Sequence, residues 1–149
     1  MAARKRSPKG FFVVDCSVTM AWFFEDEGGP YADAVQETMA RNSSRGVVPA
    51  LWRLEVANTL VVGERRKRTT EAKSHRFLTL LSLLPIQIDT VTTASVWEST
   101  IQISRGHGLS AYDAAYLELA VRRGLPLATL DAKLKNAALS AGVEIFEPN

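Results

Sequence analysis

Short apolar runs lie between helix-length segments in this sequence, and no hairpin turn signal joins any two of them; no other feature restricts the fold so much. Phe11–Val14 is a continuous apolar run ending in Asp15, as expected of a strand covered on both faces. Gly46-Val47-Val48, closed by Pro49, is a second strand, and Ile86 and Ile88 alternate with polar residues in a more exposed third. Residues 125–130, interrupted only by Pro126, and residues 143–146 are two more. Helices are predicted between them. The first runs from Ser17, as its cap, to Phe24, and after a loop at 25–29 the next runs from Pro30 to about Asn42. A third covers 50–66 despite Gly63, and after a turn near Arg68 and Thr69 a fourth reaches about Leu83, stopped by Pro85. Thr92 or Thr93 caps a helix to near Arg105, followed by a loop at Gly106-His107-Gly108. Ser110 opens one ended by Gly124, and Asp131 opens one through about Ala141, ended by Gly142. Strands linked only through helices run parallel with right-handed crossovers. The expected fold is α/β, a three-layer α/β/α sandwich around a central parallel sheet.

At 149 residues the chain is one domain, large enough to bury a full core. Its hydrophobic fraction, 46%, is that of an ordinary soluble domain. A single cysteine, Cys16, excludes an intramolecular disulfide and suits a reducing cytoplasm. No apolar run approaches the ~20 residues that span a bilayer, so no membrane partner is expected. Residues 1–9, with Arg4, Lys5, Arg6 and Lys9, read as a basic flexible tail before a single domain at 10–149. A secretory leader would need a longer apolar run than Phe11–Val14. The net charge of +2 says little about partners. The run Arg65, Arg66, Lys67 and Arg68 says more: its cations either suit a helix C-terminal dipole or touch nucleic acid or an acidic partner.

In open parallel sheets ligands bind beyond the carboxyl ends of the strands, where the strand order reverses. Asp15 and Asp131 both fall at such ends. Each has a structural alternative, Asp15 as a loop acid and Asp131 as a helix cap. Asp113 stands three residues after Ser110, as in a capping box. Glu55 is harder to explain structurally. At about 100° per residue it shares a helix sector with Asn58 and Thr59, but also with Leu51 and Val62, so this is not a simple solvated face. Gathered carboxylates repel one another, and burial raises their pKa values. A hard divalent cation, Mg2+ or Mn2+, reverses both penalties without any His or Cys. It would also lower the pKa of a bound water and offset charge at a phosphoryl group. His75, between Lys73 and Arg76, reads as solvated, and His107 as a surface-loop residue. Cys16 reads as a small buried residue, and Trp97 as core. Trp22, Phe23 and Phe24 carry more aromatic surface than one core needs, which points to an interface.

These residues together resemble a known family, the PIN domain. Val13-Val14-Asp15-Cys16-Ser17-Val18 is similar to its opening motif, and Leu54-Glu55-Val56-Ala57-Asn58 to its second. The segment from Leu109 through Ser110-Ala111-Tyr112-Asp113 to Tyr116 is similar to its third, and Leu127-Ala128-Thr129-Leu130-Asp131 to its fourth. The nearest group is the VapC-like toxins of type II toxin–antitoxin pairs. The resemblance implies a magnesium- or manganese-dependent endoribonuclease, a homodimer, held in check by a cognate antitoxin. It implies Asp15, Glu55 and Asp113 as metal-binding acids, completed by Asp131 directly or through water. Ser17, Asn58 and Thr129 would be supporting polar residues. Trp22, Phe23 and the Arg65, Arg66, Lys67, Arg68 run are candidate contacts to RNA or partner.

The alternative is a catalytically inactive PIN-like module that binds RNA or an antitoxin. Four retained acids argue against it, because unused buried carboxylates are costly. A phosphatase or response regulator would want paired acids after the first strand, where this chain has Asp15-Cys16-Ser17. A nucleotide-binding fold would want a glycine-rich loop there, and none is present.

Overall fold

The computed structural model of the chain describes residues 10–148; the basic segment 1–9 lies outside the described residues. Four strands, β1 (Phe11–Val14), β2 (Arg45–Pro49), β3 (Ile86–Asp89) and β4 (Leu127–Ala128), form one parallel sheet in the order β3-β2-β1-β4. Val13 stands opposite Val47 on one side and Leu127 on the other, and Val48 opposite Ile88. Helices α1 (Cys16–Ala21), α2 (Pro30–Ala40), α3 (Leu51–Arg65), α4 (Glu71–Leu83), α5 (Thr92–Ser95), α6 (Ile101–His107), α7 (Ala111–Arg123) and α8 (Ala132–Ser140) flank it in the expected α/β/α arrangement. Phe12, Val13 and Val14 are wholly buried, as a strand covered on both faces requires. The stretch Ala114 to Ala120 of α7 is buried without interruption, so this helix is the most enclosed of the segments packed on β1 and β4. Among the described residues no helix is long and apolar enough to cross a membrane.

The strand order places the reversal between β1 and β4. The first two crossovers walk outward to one edge, and β4 returns to the other side of β1. The carboxyl ends of β1 and β4 therefore flank the crevice where such sheets hold ligands.

Several expected boundaries move, each for a local reason. The cap of α1 is Asp15, whose side chain accepts from the Val18 N–H, and Ser17 lies inside the first turn. The helix stops at Ala21, and a 3-10 turn follows at Glu25–Glu27. The fourth strand is only two residues long, because Thr129 and Leu130 turn their donors toward Asp15 and Ser17. Residues 143–146 make one parallel bridge, Leu127 to Ile145, rather than a strand. That edge is held by packing: the Phe146 ring stacks on Phe12 at 3.9 Å, and the Tyr31 hydroxyl donates to the Phe146 carbonyl at 2.7 Å.

The helix expected from Thr92 or Thr93 to Arg105 begins after a Val91 cap and is interrupted by a π turn at Val96–Thr100. That turn shifts the helical phase, and Trp97, expected in the core, is 89% exposed. The expected loop at 106–108 is also helical as far as His107, ending on Gly108 in the left-handed region at φ 64°. Gly63 within α3 has a packing reason: a Cβ there would stand 3.1 Å from the Phe24 ring. The aromatic cluster is partly absorbed by the fold. Phe24 is buried, Phe23 leans on Phe77 at 4.7 Å, and the Trp22 indole donates to the Ala32 carbonyl at 2.8 Å.

Candidate active site

Asp15 ends β1 and is only 4% exposed. One carboxylate oxygen, Oδ1, accepts from the Val18 N–H at 3.1 Å and the Ser17 hydroxyl at 2.7 Å. The other, Oδ2, accepts from the Thr129 hydroxyl at 2.5 Å. Both hydroxyls are in turn oriented by the loop after β4. The Leu130 N–H donates to Ser17 Oγ and the Asp131 N–H to Thr129 Oγ1, each at 3.0 Å. An oxygen that already accepts an N–H directs its own proton elsewhere, here to Asp15.

Glu55 lies in the second turn of α3, half-buried. Its helix is tied to the Asp15 segment through Trp52 on the same helix. The Trp52 indole donates to Thr19 Oγ1 at 3.0 Å, and the Thr19 hydroxyl donates to the Asp15 carbonyl at 3.0 Å. Glu55 Oε1 accepts from the buried Tyr116 hydroxyl at 2.5 Å. Asp113 sits in the first turn of α7, where its N–H donates to Ser110 Oγ at 3.1 Å. Asp131 caps α8 by accepting from the Leu134 N–H at 2.8 Å and is exposed. The capping geometry read for Asp113 and Asp131 thus exists, and Asp113 also stands within electrostatic reach of Asp15 and Glu55.

Burial, and then neighbouring negative charge, raises the pKa of three of the acids. Burial pushes the Asp15 carboxyl above the carboxylate range; its three donors oppose this, and the charge on Asp113 adds to it. Glu55 is raised by burial and by Asp113 and Asp15, against the bond from Tyr116. Asp113 is raised by burial and by Asp131, against the nearby ammonium of Lys133. Asp15 and Glu55, distant in sequence, therefore both feel the charge of Asp113, and Asp113 feels that of Asp131. Cys16 is half-buried rather than fully buried. Its thiol is pushed up to about 12 by burial and the charges of Glu55 and Asp15, which leaves it no thiolate for nucleophilic work.

Other candidate residues lie apart. Asn58 is exposed and lines a recess with Thr59, Val62, Gly63, Arg66 and Arg68. Trp22, Phe23 and Arg68 line a separate groove with Lys73, Arg76, Phe77 and Leu80. Arg68 is engaged within the fold: it forks onto Asp26 at 3.0 and 3.1 Å and lies 4.1 Å above the Phe24 ring. Arg65, Arg66 and Lys67 are exposed. His75 is exposed, and His107 half-buried. The sequence reading assigned no part to Trp52, Tyr116 or Lys133. For Tyr116 a signal existed, since it stands three residues after Asp113 and so on the same face of one helix.

The donor set is all oxygen, and burial and neighbouring charge hold Asp15, Glu55 and Asp113 at raised pKa. A hard divalent cation fits such a set. Among the described residues no three His, Cys, Asp or Glu side chains form a ready-made metal cage. Magnesium sites seldom need one: the ion keeps several waters and is held by one or two carboxylates plus substrate phosphates.

A family model for the PIN domain matches residues 12–139. No match was found among curated proteins. Among solved structures, PAE2754 from Pyrobaculum aerophilum superposes with a TM-score of 0.62 at 21% identity, covering 89% of this chain and 83% of that one. A toxin–antitoxin complex from Klebsiella pneumoniae gives a TM-score of 0.57 at 18% identity, covering 82% and 88%. VapBC2 from Rickettsia felis, bound to a DNA fragment from their promoter, gives 0.62 at 11% identity, covering 93% and 99%. At these identities the likeness shows a common fold.

Proposed function

The chain belongs to the PIN-domain family, and from that premise we propose that it is a metal-dependent endoribonuclease acting as the toxin of a cytoplasmic toxin–antitoxin pair. The observation that carries this reading is the buried Asp15 carboxylate at the β1–β4 crevice, held by Ser17 and Thr129, with Glu55 and Asp113 close enough for their charges to act on one another's carboxyls. In this reading Asp15, Glu55 and Asp113 would bind Mg2+ or Mn2+, one or two of them directly and the rest through the ion's retained waters, and Asp131 completes the site directly or through water. Ser17 and Thr129 keep the Asp15 carboxylate fixed, and Asn58 is a polar neighbour one turn beyond Glu55. A bound divalent cation would supply an acidified water and offset charge at the phosphodiester.

The test is RNA cleavage measured against metal concentration. Cleavage is expected to rise with Mg2+ or Mn2+ and to stop in EDTA. Asp113→Asn should lower it at least about a hundredfold, since a metal site supplies several kcal/mol of charge stabilisation. Equal cleavage by that variant refutes the assignment; RNA binding without turnover by the natural chain marks a binding module instead.

The antitoxin partner is supported by two of the fold's neighbours, which are toxin–antitoxin complexes. The groove of Trp22, Phe23, Phe77 and Leu80, which carries Glu25 and Asp26 as well as Arg68, Lys73 and Arg76, suits an amphipathic segment. Homodimer formation is supported by the apolar face that α3 leaves exposed, with Leu54 at 76% and Val61 at 40%. Sedimentation should show a dimer that Leu54→Asp with Val61→Asp dissociates; a monomeric natural chain removes this part of the reading.

A further inference from the structure

We infer that Tyr116 is a positioning residue of the acid site, its hydroxyl holding Glu55 in the one orientation from which that carboxylate serves a divalent cation. The inference rests on the nuclease reading above and names a residue that reading does not use. Tyr116 is 1% exposed, its ring enclosed in the core alongside Leu117 and Leu119 of α7. It lies on the same helix as Asp113 and reaches across to α3, where its hydroxyl donates to Glu55 Oε1 at 2.5 Å. α7 therefore presents one acid of the site and restrains another.

The restraint is needed because of where Glu55 sits. Its side chain is long and only half-buried, and the charges of Asp113 and Asp15 repel it. Left free, it would gain rotamer entropy and relieve repulsion by swinging toward water. A hydroxyl carried on a ring locked in the core is a fixed anchor against that swing. The Tyr116 bond takes one lone pair of Oε1 and leaves Oε2 whole for an ion or a water. Burial and the Glu55 charge both raise the Tyr116 pKa, so the phenol stays protonated and remains a donor.

The experiment is a calorimetric titration of the full chain with Mn2+, without RNA. It compares the natural chain, Tyr116→Phe, Glu55→Gln and the double variant, with urea unfolding run on each. Tyr116→Phe keeps the ring and should weaken Mn2+ binding about tenfold, the low end for loss of a group that orients a ligand. Because Tyr116 acts through Glu55, the double variant should bind no more weakly than Glu55→Gln alone. In the cleavage assay, the metal concentration for half-maximal rate should rise about tenfold, with a smaller change at saturating metal. A purely structural tyrosine would lower the unfolding midpoint and leave Mn2+ affinity unmoved. Equal Mn2+ affinity in the natural chain and Tyr116→Phe, or losses that add in the double variant, overturns the inference alone. A natural chain that takes up no Mn2+ overturns the metal-dependent reading and this inference with it.

Discussion

Asp15→Asn is expected to slow metal-dependent RNA cleavage by about a hundred- to a thousandfold while leaving the metal-free protein at least as stable as the natural chain. The loss follows from several kcal/mol of metal-assisted charge stabilisation, at roughly 1.4 kcal/mol for each factor of ten. The gain in stability follows from the sign of the shift. Asp15, Glu55 and Asp113 all have raised pKa values in the folded chain, chiefly through burial. The native state then binds more protons than the unfolded state over the interval that starts at ordinary carboxylate values, 3.8 for Asp15 and 4.5 for Glu55. Their contribution to stability is fully present below that interval and is lost as pH rises through the folded pKa values. Without metal the natural chain should therefore lose stability from acid toward neutral pH, and Asp15→Asn should lose less. Mg2+ or Mn2+ should restore the natural chain at neutral pH, by about 2.7 kcal/mol at a hundred times the dissociation constant, and restore the variant far less. Urea unfolding at mildly acidic and mildly alkaline pH, in EDTA and in excess metal, reads all four quantities. Undiminished cleavage by Asp15→Asn, or a natural chain whose metal-free stability climbs toward neutral pH, contradicts the account.

Arg122→Ala is expected to lower unfolding stability by about 3–5 kcal/mol, the usual consequence of removing one partner from a buried ion pair. Arg122, its side chain 27% exposed, meets Asp89 at 2.8 and 3.3 Å and Glu118 at 2.8 and 3.3 Å through its guanidinium. Those carboxylates are 6% and 3% exposed. Bonds to Asp89 and then Glu118 hold the guanidinium more firmly charged than usual. The cluster ties the end of β3 to the last turn of α7, so it braces the edge strand against the helix that carries Asp113 and Tyr116. Taking away the cation leaves two acids in a place that cannot solvate them. Adding Glu118→Gln and Asp89→Asn to Arg122→Ala should recover a large part of the loss. The urea midpoint at constant slope measures it. A change under about 1 kcal/mol, typical of surface ion pairs, would mean that the cluster behaves as an exposed one.

Three of the four candidate acids stood out in the sequence because each sits beside a strong local signal, whereas Glu55 was marked out only by its place in a mixed helix sector. Asp15 follows a buried strand, Asp113 a serine cap, and Asp131 another apolar run. These signals locate the acids along the chain without regard to distant residues. Elements whose form depends on a remote partner were read less well. Residues 129 and 130 look like strand by composition, yet their donors go to Asp15 and Ser17, more than 110 positions away in sequence. Trp97 looks like core, and a π turn that no residue announces turns it outward. Arg68 looked like part of a basic surface run, but Asp26, 42 positions earlier, and the Phe24 ring bring it into the fold.

Local chemistry along the chain thus settled the class of fold, the parallel sense of its strands and the identity of the candidate acids. Hydrophobic periodicity, caps and glycine stops act within a few residues and need no knowledge of the rest. Only the tertiary structure decided that β4 lies beside β1 and that Trp52 and Thr19 tie α3 to the Asp15 segment. It also decided that Tyr116 reaches Glu55 and that Arg122 stands between two buried carboxylates. Those are contacts between side chains far apart in sequence. Their energies depend on distance and burial, which exist only once the core has closed around them.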